Sequence, residues 1–247
     1  MRARWRAILD RGRRLDHRRS RGAFALWLLF ISAETLAQVS GSASLLSDYR
    51  NRGVSLSDSK PAAQLAIAYD AASGWYGGAF ASNVELGYPS QRELQAVAFA
   101  GYAKRLPSGL SFEAGADYSV ITGSRNYDSA EVYVGIASDN VGARLYYAPL
   151  YFGQEPGVIY GEINASHRFL DWVRLLAHGG VLRNISDSIY GRHLDRYVFD
   201  ASVGVVLDFD LFSAQLSWVG INSLSTPYPA TSPPHKNGVV LTLLRSF

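Results

Sequence analysis

Charged side chains of both signs recur at one parity of a series of extended segments: Asp48, Arg50, Glu113, Asp117, Glu131, Arg144, Glu162, Arg174, His178, Arg196 and Asp200, joined by Gln215. Gathered inside a closed sheet, such groups are tolerable only when paired or wet. They would therefore line a narrow aqueous passage for small hydrophilic solutes, or saturate one another and plug it. In the first case Arg50, Arg144, Arg174 and Arg196 face the acids across a constriction. The rival chemistry is nucleophilic catalysis on lipid, which needs a Ser, a His and an orienting acid within hydrogen-bond reach. His178 on a strand and His193 in a loop are the candidates, and neither sits in a recognisable constellation. The chain has no Cys and no phosphate-binding loop, G-x-G-x-x-G, H-E-x-x-H or calcium-hand loop. No catalytic, cofactor-binding or metal-binding residue is assigned, no cofactor is expected, and the expectation is a protein that is not an enzyme.

What must position these residues is legible in composition. Of 247 residues 48% are apolar, yet mean hydropathy is −0.02, as alternating strands produce and membrane helices do not. Gly (23), Tyr (15) and Phe (11) are plentiful, and Met occurs once. The net charge of +3 is misleading. Residues 1–37 hold nine Arg against Asp10, Asp16 and Glu34, a contribution of +6, which leaves 15 basic and 18 acidic groups, or −3, in residues 38–247. The leader joins an Arg-rich start to the apolar run Ala23–Ile31 and a small-residue exit at Thr35-Leu36-Ala37, the organisation of a secretory signal peptide cut near Ala37. The run is about half the roughly twenty residues a membrane helix needs. A basic tail for nucleic acid would not need an apolar run beside it.

From Gly41 onward period 2 dominates. Leu110, Phe112, Ala114, Ala116, Tyr118 and Val120 alternate with Ser111, Glu113, Gly115, Asp117 and Ser119; Tyr197–Asp208 repeats the pattern. Turn-forming clusters divide the chain into strands near 42–52, 63–70, 75–84, 93–104, 110–121, 130–138, 141–151, 158–167, 173–183, 196–207, 211–221 and 238–247. Short connections alternate with mostly longer ones. This predicts an all-β fold, a transmembrane antiparallel up-and-down barrel of about twelve strands over residues 38–247. A soluble β-barrel or sandwich would show similar strands, but the aromatics separate the two. Trp75, Phe169, Trp172, Phe209, Phe212 and Phe247 sit by short turns, and Tyr49, Tyr118, Tyr147, Tyr151 and Tyr197 at the loop ends, two belts expected at membrane interfaces. The apolar strand Gly238–Phe247 would expose an open edge unless it pairs with the first strand, so Phe247 is read as the closure signal. Arg245, at the lipid-facing parity, lies near enough to the strand end to snorkel.

Ser47-Asp48-Tyr49-Arg50-Asn51-Arg52-Gly53-Val54-Ser55, with Pro61 and Gln64, resembles the S-D-Y-x-x-R-G-x-S…P…Q opening of the TorF family of Gram-negative outer-membrane porins. Gly74–Val84 is similar to that family's G-F-Y-x-G-x-W-x-S-N-V strand, with Phe80 in place of Trp, and Tyr146–Gly153 to its Y-S-P-x-Y-x-G segment. At Gln95 the chain departs from an acid common in the family. The resemblance implies an outer-membrane barrel with a porin role, and brings neither a substrate nor catalytic residues. Expected partners are outer-membrane lipids and lipopolysaccharide, the barrel-assembly machinery and small solutes, with no nucleic acid; the oligomeric state is left open. The alternatives are a structural or surface-interaction barrel with a plugged lumen and an outer-membrane lipid-modifying enzyme.

Overall fold

The computed structural model describes residues 38–86, 91–123, 127–153, 155, 157–189, 192–225 and 235–247. Twelve strands close into one antiparallel barrel. They are β1 (Gln38–Leu46), β2 (Ala62–Asp70), β3 (Trp75–Leu86), β4 (Gln91–Arg105), β5 (Ser111–Ile121), β6 (Ser129–Ala137), β7 (Val141–Leu150), β8 (Val158–Leu170), β9 (Val173–Asn184), β10 (Tyr197–Asp208), β11 (Ser213–Ile221) and β12 (Asn237–Ser246). Neighbours in the barrel are neighbours in sequence except at the seam, where β1 meets β12. The expected all-β, up-and-down architecture is the observed one. The leader expected over residues 1–37 lies outside the described residues.

The two-residue period of a strand sends successive side chains to opposite faces, and the alternation in the sequence becomes an inside and an outside. In β10, Val198, Asp200 and Ser202 are buried while Tyr197, Phe199, Ala201 and Val203 are exposed. In β5, Ser111, Glu113 and Ser119 point inward and Phe112, Ala114, Ala116 and Tyr118 outward. Every strand carries a large apolar or aromatic side chain on the outer wall, from Val39 and Leu45 in β1 to Leu241 and Leu243 in β12. Left in water, each would forgo about 1.5 to 3 kcal/mol of burial, so this wall belongs in hydrocarbon. The closed ladder supplies what hydrocarbon demands, because the backbone groups of each strand are paired on both sides.

Four of the five short connections (71–74, 106–110, 138–140, 209–212) close on backbone bonds such as Ala71 N to Trp75 O at 2.8 Å. Trp75, Phe169, Trp172, Phe209 and Phe212 stand exposed at this rim, as the expected belt requires. At the opposite, long-loop rim Tyr118, Tyr147 and Tyr197 are exposed, but Tyr49 and Tyr151 are buried and do not belong to the belt. Between β3 and β4 the ladder runs to Leu86↔Gln91, so Glu85, Leu86, Gln91 and Arg92, expected in a long loop over 85–92, are strand residues.

The first strand differs more. Expected over 42–52, it runs from Gln38 to Leu46, pairing Gln38 with Asp70. Ser47 makes the last wall contacts, its N–H to Leu241 O at 2.9 Å and its Oγ accepting from Leu241 N at 3.0 Å. Residues 47–61 then turn into the barrel, where Arg50–Asn51 and Val54–Ser55 pair as a miniature ribbon. Asp48, Arg50 and Tyr49 are therefore not strand residues with a wall parity. At the seam, Phe247 and Gly41 exchange backbone bonds of 2.8 and 3.0 Å, and the Phe247 ring covers Gly41, where a Cβ would sit 2.4 Å from the ring. An aromatic shielding a strand glycine is a known device for fixing register. Arg245 pairs with Ala43 on the exposed face near the short-turn rim.

Candidate functional site

Register gathers the inward charges into one row. Glu113 pairs with Gly135, Gly135 with Arg144, Arg144 with Glu162, Glu162 with Gly180 and Gly180 with Asp200, so six consecutive strands each contribute one member. Arg144 reaches across β6 to Glu113, Nε to Oε1 and Nη2 to Oε2 at 3.0 Å. The crossing needs a glycine: a Cβ on Gly135 would lie 2.6 Å from Glu113 Oε1 and 3.0 Å from Arg144 Cγ. One rung nearer the long loops, Tyr133, Tyr146 and Tyr160 form a second row, and their hydroxyls come down onto the charges. Tyr146 donates to Glu162 at 3.2 Å and Tyr160 to Asp200 at 3.1 Å. Tyr76 donates to Glu113 at 3.0 Å and lies 2.8 Å from the Tyr133 hydroxyl. His178 is held between Asn164 Oδ1 (2.8 Å) and Asp200 Oδ1 (2.7 Å), with Tyr160 Oη 3.2 Å from its Nε2. Both ring nitrogens are occupied by wall groups, which leaves neither to activate a serine.

The inward loop docks on these rows. Asp48 organises it, accepting from Arg50 Nε (2.6 Å), Ser55 Oγ (2.6 Å) and Ser57 Oγ (3.2 Å), while Tyr49 N–H donates to Ser57 Oγ at 2.9 Å. Arg52 crosses the lumen to Glu131, with Nη1 to Oε1 at 2.9 Å and Nη2 to Oε2 at 2.7 Å. Its guanidinium lies 4.2, 5.1 and 5.2 Å from the ring centres of Tyr160, Tyr151 and Tyr146. A bidentate pair combined with aromatic faces uses both strengths of the guanidinium, its planar fork and its weak hydration. Gly53 follows at φ 81°, where a Cβ would press on Asp200 and Ile221 at 2.9 Å. Tyr49 Oη donates to Gln95 at 3.0 Å, and Gln95 donates to Ser119 at 2.9 Å. The loop thus touches β4, β6 and β10, three separated sectors of the wall. Around it Leu56, Val84, Tyr151, Phe152, Tyr160 and Ile221 pack into an apolar core, so the long-loop half of the interior is filled. At the loop's exposed edge Lys60 bonds Glu85, and Asp58 at 3.2 Å. These carboxylates, Glu85 foremost, hold its ammonium above the usual lysine range.

The other half is hollow. A cavity of about 350 Å³ extends from Gln38, Asp70, Arg105 and Ser246 at the short-turn rim to Tyr49, Asn51, Tyr151 and Phe152 beneath the loop, passing Asp117, Glu131 and Arg144 on the wall. Of the residues expected on the inner wall, Glu113, Arg144, Glu162, His178 and Asp200 meet in or against the rows above, Glu131 meets Arg52 of the loop, and Asp117 faces the cavity. Arg174 lies inward but away from them, forked onto Asp208 at 2.7 and 2.8 Å. Gln215 donates to Ser217 at 2.6 Å. Asp48 and Arg50 belong to the loop. Arg196 is a correction: it lies exposed in the connection before β10, because that strand begins one residue later than the parity count assumed. His193 is likewise exposed in a loop ribbon. The parity of the first motif also aims Arg52 at the lumen with Asp48 and Arg50, and it is found there by way of the loop; Gln95 and the four inward tyrosines are not among the candidates. Tyr133, Tyr146 and Tyr160 share the parity of Glu131, Arg144 and Glu162 on their own strands, a signal available from alternation alone, whereas Tyr76 has no charged residue at its parity in β3. Among the described residues no cluster of His, Asp and Glu could hold a metal ion.

A family model described as a bacterial protein of unknown function (Gcw_chp) matches residues 32–247. The chain belongs to this family. The matching Gcw_chp model does not carry the TorF name, so that likeness stays one of motifs. No curated protein matches the sequence. Among solved structures the Gcw_chp barrel is similar to the NanC porin, with a TM-score of 0.57 at 10% identity over 85% of this chain and 99% of that one. It is also similar to the KdgM porin, solved in complex with disordered oligogalacturonate, with a TM-score of 0.54 at 10% identity over 86% and 99%. At such identities the likeness is one of fold.

Proposed function

We propose that this protein is an outer-membrane porin-like channel through which small hydrophilic solutes diffuse, narrowed at the long-loop rim by its own first loop. The observation that carries the reading is the cavity of about 350 Å³, with charged, hydroxyl and aromatic groups on its wall, that rises from the short-turn rim and stops beneath the first loop at Tyr49, Asn51, Tyr151 and Phe152. A barrel built only as a surface scaffold has no need to keep such a hollow, with Asp117, Glu131, Arg144 and several serine hydroxyls on its wall. The apolar outer wall, the expected leader, the motif resemblance to TorF porins and the shared fold of KdgM and NanC all support an outer-membrane setting. In that setting lipopolysaccharide, outer-membrane lipid and the assembly machinery are the natural partners. Both nitrogens of His178 are engaged by the wall, which supports a non-enzymatic role, and detergent-solubilised protein is expected to leave phospholipid and lipopolysaccharide intact.

A second reading, a plugged structural barrel, is favoured by the packing of Leu56, Tyr151 and Phe152 around the loop. Planar-bilayer recordings separate the two. Wild-type protein is expected to show small conductance steps, and a variant lacking residues 50–57 steps several-fold larger. Silence from both would sink the channel and leave the plug.

A further inference from the structure

Arg52 occupies a site whose chemistry is that of a receptor for organic cations. Glu131 offers both carboxylate oxygens to the guanidinium, and Tyr146, Tyr151 and Tyr160 present their faces around it. A carboxylate with aromatic walls, drained of bulk water, is how proteins hold guanidinium and ammonium head groups. The occupant is unusual in being carried on a loop, at φ 49° and followed by Gly53 at φ 81°. A non-glycine residue in the left-handed region is a conformation that surrounding contacts must sustain. Those contacts do not all depend on the cage. Asp48 with Ser55 and Ser57, Tyr49 with Gln95, and the buried Leu56 hold the loop's fold whether or not the Arg52 side chain is seated.

Two further observations point to an external ligand. Glu131 and Tyr151 line the cage and the open cavity alike, so a solute that has entered from the short-turn rim meets the same groups that hold Arg52. The rows and cage also set four carboxyl groups (Glu113, Glu131, Glu162 and Asp200) against two guanidinium groups (Arg52 and Arg144), which favours cations in a confined lumen.

We propose that the Glu131–Tyr146–Tyr151–Tyr160 cage is a binding subsite for small organic cations bearing a guanidinium or primary ammonium group, and that Arg52 is the tethered occupant with which such a solute exchanges. The proposal rests on the channel reading for how the solute arrives, and names the solute class.

The test uses full-length refolded barrel in detergent, its fold checked by heat-modifiable gel migration, with guanidinium chloride at sub-denaturing concentration and butylammonium chloride as probes. By titration calorimetry Arg52→Ala is expected to bind guanidinium at least about tenfold more tightly than wild type, the equivalent of about 1.4 kcal/mol. Adding Glu131→Gln to Arg52→Ala is expected to abolish binding, and acetate to bind neither variant. Folded Arg52→Ala that binds no more guanidinium than wild type, or binding that survives loss of Glu131, would overturn the cage. Should Arg52→Ala not fold, Arg52→Lys serves: the shorter monodentate cation is expected to yield to guanidinium at lower concentration than Arg52 does, and no difference would count against the proposal. Conductance is recorded separately. Binding without conductance retains the cage and refutes the channel, whereas conductance without binding does the reverse.

Discussion

Arg52 and Arg144 are buried in the same lumen, each forked onto a glutamate and each within cation–π distance of tyrosine, yet they are held in different ways. Arg144 grows from β7 and meets Glu113 two strands away, across Gly135, with all three positions set by ladder register. Arg52 stands on a loop and meets Glu131 only because that loop turns inward. With both partners in the sheet, the pair is part of the wall and its two backbones stay in register as long as the barrel stands. With one partner on a loop, the same chemistry becomes a contact that can be made and unmade while the barrel stays intact.

Four substitutions test this contrast, in falling order of effect. Arg144→Ala leaves Glu113 buried without its cation and is expected to cost about 3 to 5 kcal/mol, read by urea titration of tryptophan fluorescence in lipid vesicles. Gly135→Ala forces a methyl between Glu113 and Arg144, an overpacking expected to cost about 2 kcal/mol on the same titration. Arg52→Ala is expected to cost only about 1 to 2 kcal/mol, because Glu131 borders the cavity and water replaces the guanidinium, while conductance rises. A loss equal to that of Arg144→Ala would break the comparison. Tyr49→Phe removes one hydrogen bond to Gln95, about 1 kcal/mol, and is expected to show mainly as faster proteolysis within residues 47–61, with the barrel's unfolding midpoint nearly unchanged.

Strand number, closure and most inward residues were legible because period 2 is a local property. Tyr197–Asp208 declares its two faces within twelve residues, and Glu113, Arg144 and Asp200 follow from counting. The loop was not legible, for an equally physical reason. Ser47–Asn51 continues the alternation of β1, and nothing local tells an inward loop from one more turn of strand. What bends it inward lies far along the chain: Glu131 for Arg52, 79 residues on, and Gln95 for Tyr49, 46 residues on. The same distance misplaced Tyr49 and Tyr151, whose rings suit a membrane interface as well as a packed core. Arg196 failed by a single residue of strand boundary, enough to move a side chain from wall to solvent.

The seam where Phe247 covers Gly41 sets a temporal order on assembly. Its ladder joins five residue pairs, whereas β1 makes nine with β2 on its other side. It is also the one junction whose partners lie some two hundred positions apart in sequence, so its loop-closure entropy is met last. The barrel should therefore ripen as a curled sheet that zips shut in a final, slow stroke. Under load it should tear along that same line, which makes the Phe247 ring, clasped over a bare glycine, the catch of the fastener.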